Sequence, residues 1–265
     1  MSTILTLASG TFGEAMRRKI LNVFLFVAIA MIVLFFAFAS FTPSSDLTIT
    51  MATGLGIISI AGVFISVILG INLIPNEIDK RTIYTILSKP VKRHEFLIGK
   101  FLGGLATVFV NIVLMGALFM IGVIVFKDPT HSLKHFDILQ GIVMIFFQMM
   151  LLNALAVMFS VFTSPFVNFF LSFAVYIMGS MSSVTEALGE DSSNGKRSIV
   201  IQWIFKGIHF LVPNFANFNV QNPIIHPEVI IRDMTKYMAT NILYAVIYST
   251  IMLLIAILIF DRREV

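Results

Sequence analysis

The chain has 265 residues, of which 58% are hydrophobic and only 12% are charged, whereas soluble domains average about 45–50% apolar and about 25% charged residues. This composition excludes an ordinary water-soluble fold. The formal net charge of +4 does not indicate nucleic-acid binding, because the basic residues lie beside apolar runs, as in membrane anchoring. Cysteine is absent, which excludes disulfides, iron–sulfur clusters, cysteine-based zinc sites and a cysteine nucleophile.

The N-terminal segment 3–19 is predicted to form a short amphipathic helix along the cytoplasmic face of the membrane. Its apolar residues recur at helical spacings, and Glu14 stands four positions before Arg18, where the two side chains can pair. A frayed cytoplasmic tail is the alternative.

Long charge-free runs predict the membrane spans. A helix needs about 20 residues to cross a hydrocarbon core about 30 Å thick. Six such runs follow one another, with Glu186 as the one charged residue, at an edge: 20–41, 54–74, 101–126, 138–161, 166–186 and 240–260. The fourth and fifth are separated only by Thr163, Ser164 and Pro165, which we interpret as a turn, with a kink as the alternative. The sequence therefore predicts an all-α integral membrane protein with six transmembrane helices.

The segment 75–100 between the second and third spans is the most informative part of the chain. Pro75 ends the second span, Asp79 can cap a short helix, and Pro90 stops it. That helix has Ile83, Ile86 and Leu87 on one face. A basic helix with a small apolar face, held between two spans, fits a groove on a partner protein. An ordinary basic cytoplasmic loop is the alternative.

Residues 187–239 are predicted to form a long extracytoplasmic loop. Within it, 198–211 is too short and too polar to span, and Trp203 indicates an interfacial helix. Pro213 and the prolines after it predict irregular structure.

The distribution of Lys and Arg sets the predicted orientation. One set of span ends carries most of the basic residues outside long loops: Arg17, Arg18, Lys19, Lys80, Arg81, Lys89, Lys92, Arg93, Lys100, Arg262 and Arg263. Basic residues concentrate on the cytoplasmic side of membrane proteins. Both termini are therefore predicted to be cytoplasmic.

Motifs for chemistry are missing. No GxxxxGK[ST] phosphate loop occurs, so the chain is not predicted to bind ATP in that manner. His94 and Glu95 begin an HExxH pattern, but Ile98 stands where the second zinc ligand would be. We therefore predict a non-catalytic subunit without a cofactor of its own.

Two metal hypotheses are weak. His131 and His135 are four residues apart, but histidines in a short polar loop are more often solvated than metal-bound. Met149 and Met150 invite a copper site, yet methionine also fills gaps in apolar packing. No metal site is predicted.

The polar residues inside the spans are uncharged, which disfavours an ion-coupled secondary transporter. Most are predicted to be hydrogen-bond partners between helices: Asn72, Asn111, Gln148, Asn153, Asn168 and Ser172. Phenylalanine-rich faces accompany them and either line a route for an amphiphile or face lipid: Phe35, Phe36, Phe38, Phe146, Phe147, Phe169 and Phe170.

Residues 77–93 (EIDKRTIYTILSKPVKR) and 99–103 (GKFLG) resemble the signature between the second and third spans of ABC-2 type permeases. They are similar to the branch that includes the nitrous-oxide-reductase accessory permease. Residues 11–19 (TFGEAMRRK) and 211–215 (LVPNF) also resemble segments of the family, although only the 77–104 block is specific.

The resemblance implies a single transmembrane domain over 1–265, with an amphipathic N-terminal helix, six spans and a cytoplasmic coupling helix. It implies that two permease copies, or two homologous permeases, work with two ATPase subunits, which bind ATP and Mg. The residues expected to contact the ATPase subunit are Glu77 at the base of the second span, Arg81, Thr82, Ile83, Tyr84, Ile86, Leu87 and Ser88 of the coupling helix, and Pro90 and Arg93 of the following turn, which also contains Lys89. The location expected for such a permease is the cytoplasmic (inner) membrane of a bacterium. The loop 187–239 is larger than in minimal members, which leaves a possible extracytoplasmic partner open.

The function expected from this resemblance is that of the permease subunit of an ATP-driven ABC transporter, exporting a lipid-like or amphiphilic substrate. A permease serving metalloenzyme maturation and an ATP-independent secondary transporter are the alternatives. A membrane-embedded enzyme would need a catalytic constellation that the sequence lacks, and a membrane anchor would leave the docking segment unexplained.

Overall fold

The computed structural model describes residues 2–39, 47–73, 92–126, 132–182, 207, 212–219 and 233–262. Within these ranges the chain is all-helical, with seven α-helices and no strands. The helices are α1 (Ser2–Met16), α2 (Lys19–Ala39), α3 (Leu47–Asn72), α4 (Arg93–Phe126), α5 (Ser132–Ser160), α6 (Pro165–Ser180) and α7 (Met234–Arg262), and a short 3₁₀ turn covers Ala216–Phe218.

Five of these helices, α2, α3, α4, α5 and α7, are long and apolar enough to cross a membrane. The prediction of a span is thereby confirmed for five of the six runs. Helix α6 is apolar but has 16 residues, fewer than the roughly 20 that a crossing needs. The predicted span 166–186 continues beyond the described residues, so the sixth span stays a prediction.

Helices α3, α4, α5 and α7 begin six to eight residues before the charge-free runs that predicted them. Helix α4 has 34 residues and begins at Arg93, not near 101, and at about 1.5 Å per residue it is about 51 Å long. A helix does not end where charges begin, because its backbone hydrogen bonds continue outside the hydrocarbon core. Arg93 was expected in a turn, and it is instead the first residue of α4.

The bundle is arranged around α3 and α5. The membrane-crossing windows of these two helices are 67% and 72% buried, against 22% for α2 and 17% for α7. Glycines allow close packing at the centre: a Cβ on Gly62 would lie 3.1 Å from the Met149 side chain, and one on Gly70 would lie 2.4 Å from the Ala156 Cβ. The residue numbers of α3 and of α5 increase in the same direction along this contact, so the two helices run parallel.

A tight turn joins α5 to α6, as Thr163, Ser164 and Pro165 predicted. Ser164 is the extended N-cap of α6 (φ −72°, ψ 156°), and Pro165 occupies the first helical position, where its missing N–H costs no hydrogen bond. The Asn168 side-chain amide donates to the Ala156 carbonyl at 2.9 Å and fastens α6 to α5.

The N-terminal segment forms helix α1, in agreement with the helical spacing of its sequence. The Glu14 carboxylate and the Arg18 guanidinium form the predicted pair at 3.0 Å. The position of α1 along the membrane surface stays a prediction.

Candidate coupling and transport site

Most residues of the predicted ATPase contact lie outside the described residues. These are Glu77, Arg81, Thr82, Ile83, Tyr84, Ile86, Leu87, Ser88 and Pro90. Arg93 is the one predicted contact residue within the described ranges, and it is the first residue of α4. The contacts around Arg93 are therefore the described part of the predicted coupling site.

The first turn of α4 is capped by its own sequence. The Lys92 backbone N–H donates to the Glu95 carboxylate at 3.3 Å, an arrangement in which an acidic side chain reaches back to the residue before the helix. The negative charge also lies at the positive end of the helix dipole. Glu95, half of the incomplete HExxH pattern, thus has a structural role.

Arg93 connects the start of α4 to the end of α7, and we call its contacts with Phe260 and Asp261 the Arg93 junction. Its guanidinium donates to the carbonyls of Phe260 at 2.9 Å and Asp261 at 3.3 Å. It also lies 5.7 Å from the centre of the Phe260 ring, which stacks on Phe96 at 6.2 Å. A cation on the last carbonyls of a helix satisfies acceptors that have no partner within that helix.

Helix α1 packs on the same part of α4. A Cβ on Gly99 would lie 2.7 Å from the Leu7 Cβ, and one on Gly103 would lie 2.5 Å from the Ala8 carbonyl oxygen. Two glycines four residues apart form the small-residue face that lets membrane helices approach closely. Lys100, which lies between these two glycines in the sequence, was expected as a membrane-flanking cation. It is buried, and its ammonium lies 5.7 Å from the centre of the Phe96 ring.

These contacts join α1, α4 and α7 within the first three turns of α4. No sequence signal identified α7 as the partner of Arg93.

The second feature of the site is the inserted segment, which we define as Val212–Asn219. Its Phe215 and Phe218 side chains are buried. The Phe215 N–H donates to the Gly179 carbonyl of α6 at 3.0 Å, and the Phe215 carbonyl accepts from the Gln148 side chain of α5 at 3.0 Å. The Ser59 hydroxyl of α3 donates to the same glutamine at 3.4 Å.

Asn214 organises the inserted segment from within. Its side-chain oxygen accepts from the Ser182 hydroxyl at 2.9 Å and from the Ala216 N–H at 3.0 Å. The backbone N–H of Asn214 donates to the Tyr244 hydroxyl of α7 at 3.1 Å. Tyr237 of α7 donates to the Asn217 carbonyl at 2.9 Å.

The inserted segment lies within 187–239, and its irregular backbone agrees with the structure that Pro213 predicted. The extracytoplasmic location of this loop stays a prediction. Gln148 lies near the middle of α5, so Phe215 packs beside the middle of a helix that is long and apolar enough to cross a membrane. Irregular backbone at such a position is stable only where protein buries it or where it lines a cavity, and here α5, α6 and α7 bond to Phe215 and Asn214. The one sequence signal for such a buried, hydrogen-bonded segment was that Phe215 and Phe218 alternate with three asparagines. Trp203 lies outside the described residues.

The polar span residues agree only in part with the prediction of hydrogen bonds between helices. Gln148 and Asn168 make such bonds, whereas Asn111 donates to Thr107 of its own helix at 2.8 Å. Asn153 is fully buried, and neither atom of its amide has a partner in the described part of the chain. Ser172 bonds to Asn168 within α6, and the Asn72 side chain is outside the described set.

Within the described ranges, no three His, Asp or Glu residues are grouped so that they could hold a metal ion. Met149 is buried against Gly62, in a packing role. His131 and the His135 side chain lie outside the described residues.

Comparison with protein families matches residues 5–265 to the family described as ABC-2 family transporter protein. No curated protein matches the chain. The family match covers nearly the whole length and includes both the Arg93 junction and the inserted segment, so this chain belongs to the ABC-2 family of transporter proteins.

Proposed function

We propose that the chain, as one transmembrane domain over 1–265, is the permease subunit of an ATP-driven exporter whose ATPase is a separate polypeptide. Family membership supports a non-catalytic membrane subunit with an ATPase partner in general. The observation that carries the mechanical part is the Arg93 junction, where α1, α4 and α7 meet at the end of the predicted coupling segment.

The coupling helix would seat its apolar face, Ile83, Ile86 and Leu87, in a groove of the ATPase subunit. Closure of two ATPase subunits on ATP would displace this helix, and Arg93 would transmit the displacement to α4 and α7. The permease would then exchange an inward-facing for an outward-facing arrangement. The inserted segment would be the outer barrier that this exchange removes.

The cargo we propose is a lipid-like or amphiphilic molecule. Among the described residues, the buried polar side chains are uncharged apart from Lys100. A strongly charged solute would therefore meet few groups to replace its hydration. The phenylalanines divide between two roles: Phe36 is buried, whereas Phe38 and Phe170 are 70% and 57% exposed.

A permease that serves metalloenzyme maturation is the second candidate, favoured by the resemblance of residues 77–104 to the nitrous-oxide-reductase accessory branch.

The bacterial inner membrane and cytoplasmic termini belong to the proposal of an ATP-driven exporter. They are supported by the basic residues at one set of span ends.

The coupling contact is tested by Leu87→Asp, which would place a charge in the docking groove. We expect ATPase association and transport-linked hydrolysis to fall at least tenfold while the permease remains inserted. Thr85→Asp is the matched control, since Thr85 lies on the opposite face of the predicted helix. Normal association and hydrolysis in Leu87→Asp would refute the docking role.

The cargo is tested by reconstituting the permease with its ATPase in liposomes and measuring ATPase stimulation by lipids, amphiphilic peptides, copper and small polar solutes. Stimulation by lipids or amphiphilic peptides is expected. ATPase stimulation confined to copper or a polar solute would refute an amphiphilic cargo and leave the assignment as a transporter intact.

A further inference from the structure

An apolar groove runs between α2 and α3 on the outside of the bundle. It encloses about 220 Å³ and is lined only by apolar side chains. Ala28 and Ala61 form its buried floor, while Val27 and Ile60 on its rim are 52% and 63% exposed. The groove is therefore open sideways, toward whatever surrounds the helices in the membrane.

The groove has the size and chemistry for hydrocarbon. An engineered apolar cavity of about 150 Å³ stays dry and takes up benzene, and this groove is larger. Water would find no polar partner on its walls, because every lining residue is apolar. Phe24 and Phe64 stack with their ring centres 5.0 Å apart and form one end of the groove.

The depth of the groove follows from its position along α2. Phe24 and Met31, which line its two ends on α2, follow Lys19 by about 8 Å and about 18 Å along the helix at about 1.5 Å per residue. Half of a hydrocarbon core is about 15 Å. The groove thus extends from the leaflet on the side where α2 begins to about the bilayer midplane, a depth that the acyl chains of that leaflet reach.

Basic residues stand at the headgroup level of the same leaflet. Arg17, Arg18 and Lys19 precede α2; Arg18 is paired with Glu14, whereas Arg17 and Lys19 are exposed. Juxtamembrane cations attract anionic lipid headgroups.

We propose that this groove binds one acyl chain of an anionic phospholipid, whose phosphate lies against Arg17 and Lys19. The lipid is a resident ligand that completes the packing of α2 on α3. This inference is independent of the cargo, because it concerns the outer surface of the bundle.

The test is native mass spectrometry of the intact complex in mild detergent, with phosphatidylglycerol or phosphatidylcholine of the same chain composition. We expect wild type to retain phosphatidylglycerol preferentially and Ala61→Leu, which fills the floor, to retain at least tenfold less. Val27→Trp covers the groove from its exposed rim without altering the core, and it should have the same effect. Ala117→Leu, at an exposed position on α4, is the control and should behave as wild type.

The charge contact is separated from the groove by Arg17→Gln combined with Lys19→Gln. This variant should lose the preference for phosphatidylglycerol while still retaining phosphatidylcholine. Equal lipid retention in wild type and Val27→Trp would overturn the proposal. So would disulfide formation between Ile60→Cys residues of two copies, since a second copy would then occupy the groove.

Discussion

At the scale of single residues, Arg93 connects the start of α4 to the end of α7. It is the first residue of α4, and it satisfies two carbonyls at the end of α7. Hydrogen bonds from a charged donor contribute about 1.5–3 kcal/mol, more than neutral ones. The same side chain also packs on Phe260, so both ends of the junction depend on it.

Arg93→Gln should therefore weaken coupling more than assembly. We expect the variant to keep its ATPase subunit but to lose severalfold in transport-linked hydrolysis, with a loss of stability of about 1.5–3 kcal/mol. Arg262→Gln is the control, because it removes the same charge from the exposed end of α7. Identical hydrolysis and thermal unfolding in the two variants would show that the contact with α7 has no role.

At the scale of helices, close approach of backbones determines which elements move together. Gly103 is the position where α1 approaches α4 most closely, since a Cβ there would lie 2.5 Å from the Ala8 carbonyl oxygen and 2.6 Å from the Thr11 Cβ. Gly10, on α1 itself, has nothing within 4 Å of its would-be Cβ.

Gly103→Ala should displace α1, because the neighbouring backbone oxygen has no room to shift alone. The expected cost is about 1–3 kcal/mol, typical of overpacking, with faster hydrogen exchange in residues 2–16. Gly10→Ala should instead stabilise α1 by about 0.5–1 kcal/mol. Thermal unfolding and exchange measured on both variants decide the matter, and unchanged exchange in Gly103→Ala would contradict the packing.

The inserted segment depends on Gln148 in a comparable way. Gln148→Leu removes the donor to the Phe215 carbonyl and leaves that acceptor buried. A buried acceptor left without a partner costs about 1–3 kcal/mol, which should raise the population with the inserted segment released about five- to 150-fold. With no native cysteine, labelling of Asn217→Cys by a membrane-impermeant maleimide measures this opening.

Asn111→Leu is the matched control for that measurement. Asn111 is buried to the same degree as Gln148 but bonds only within its own helix. Its replacement should leave the labelling rate of Asn217→Cys unchanged. Equal acceleration by both substitutions would mean that general loosening, not the bond to Phe215, controls access.

At the scale of the whole molecule, the sequence predicted what depends on local composition. Charge-free runs identified five long helices, and Ser164 followed by Pro165 identified the turn between α5 and α6. Contacts distant in sequence were not predictable, because Arg93 to Phe260 and Gln148 to Phe215 follow from tertiary packing. The starts of the helices were not predictable from charge-free runs, because a helix continues past the hydrocarbon core and includes charged residues such as Lys100, whose ammonium lies 5.7 Å from the centre of the Phe96 ring.

Orientation is also a property of the whole chain, and it stays a prediction from the basic residues. Single cysteines at Ser193 and Ser132 should react with an impermeant maleimide from outside, whereas cysteines at Ser88 and Glu264 should not. Reaction of Ser88→Cys from outside intact cells would invert the orientation and remove the proposed ATPase contact.

We propose that this chain works only as part of an assembly with separate ATPase subunits. It supplies five helices that are long and apolar enough to cross a membrane, one further predicted span and no phosphate-binding loop. The most direct measurement is the mass of the intact complex after solubilisation in mild detergent. We predict two permease chains, or this chain with one homologous permease, bound to two ATPase subunits. A single permease chain that transports without any ATPase subunit would contradict this account.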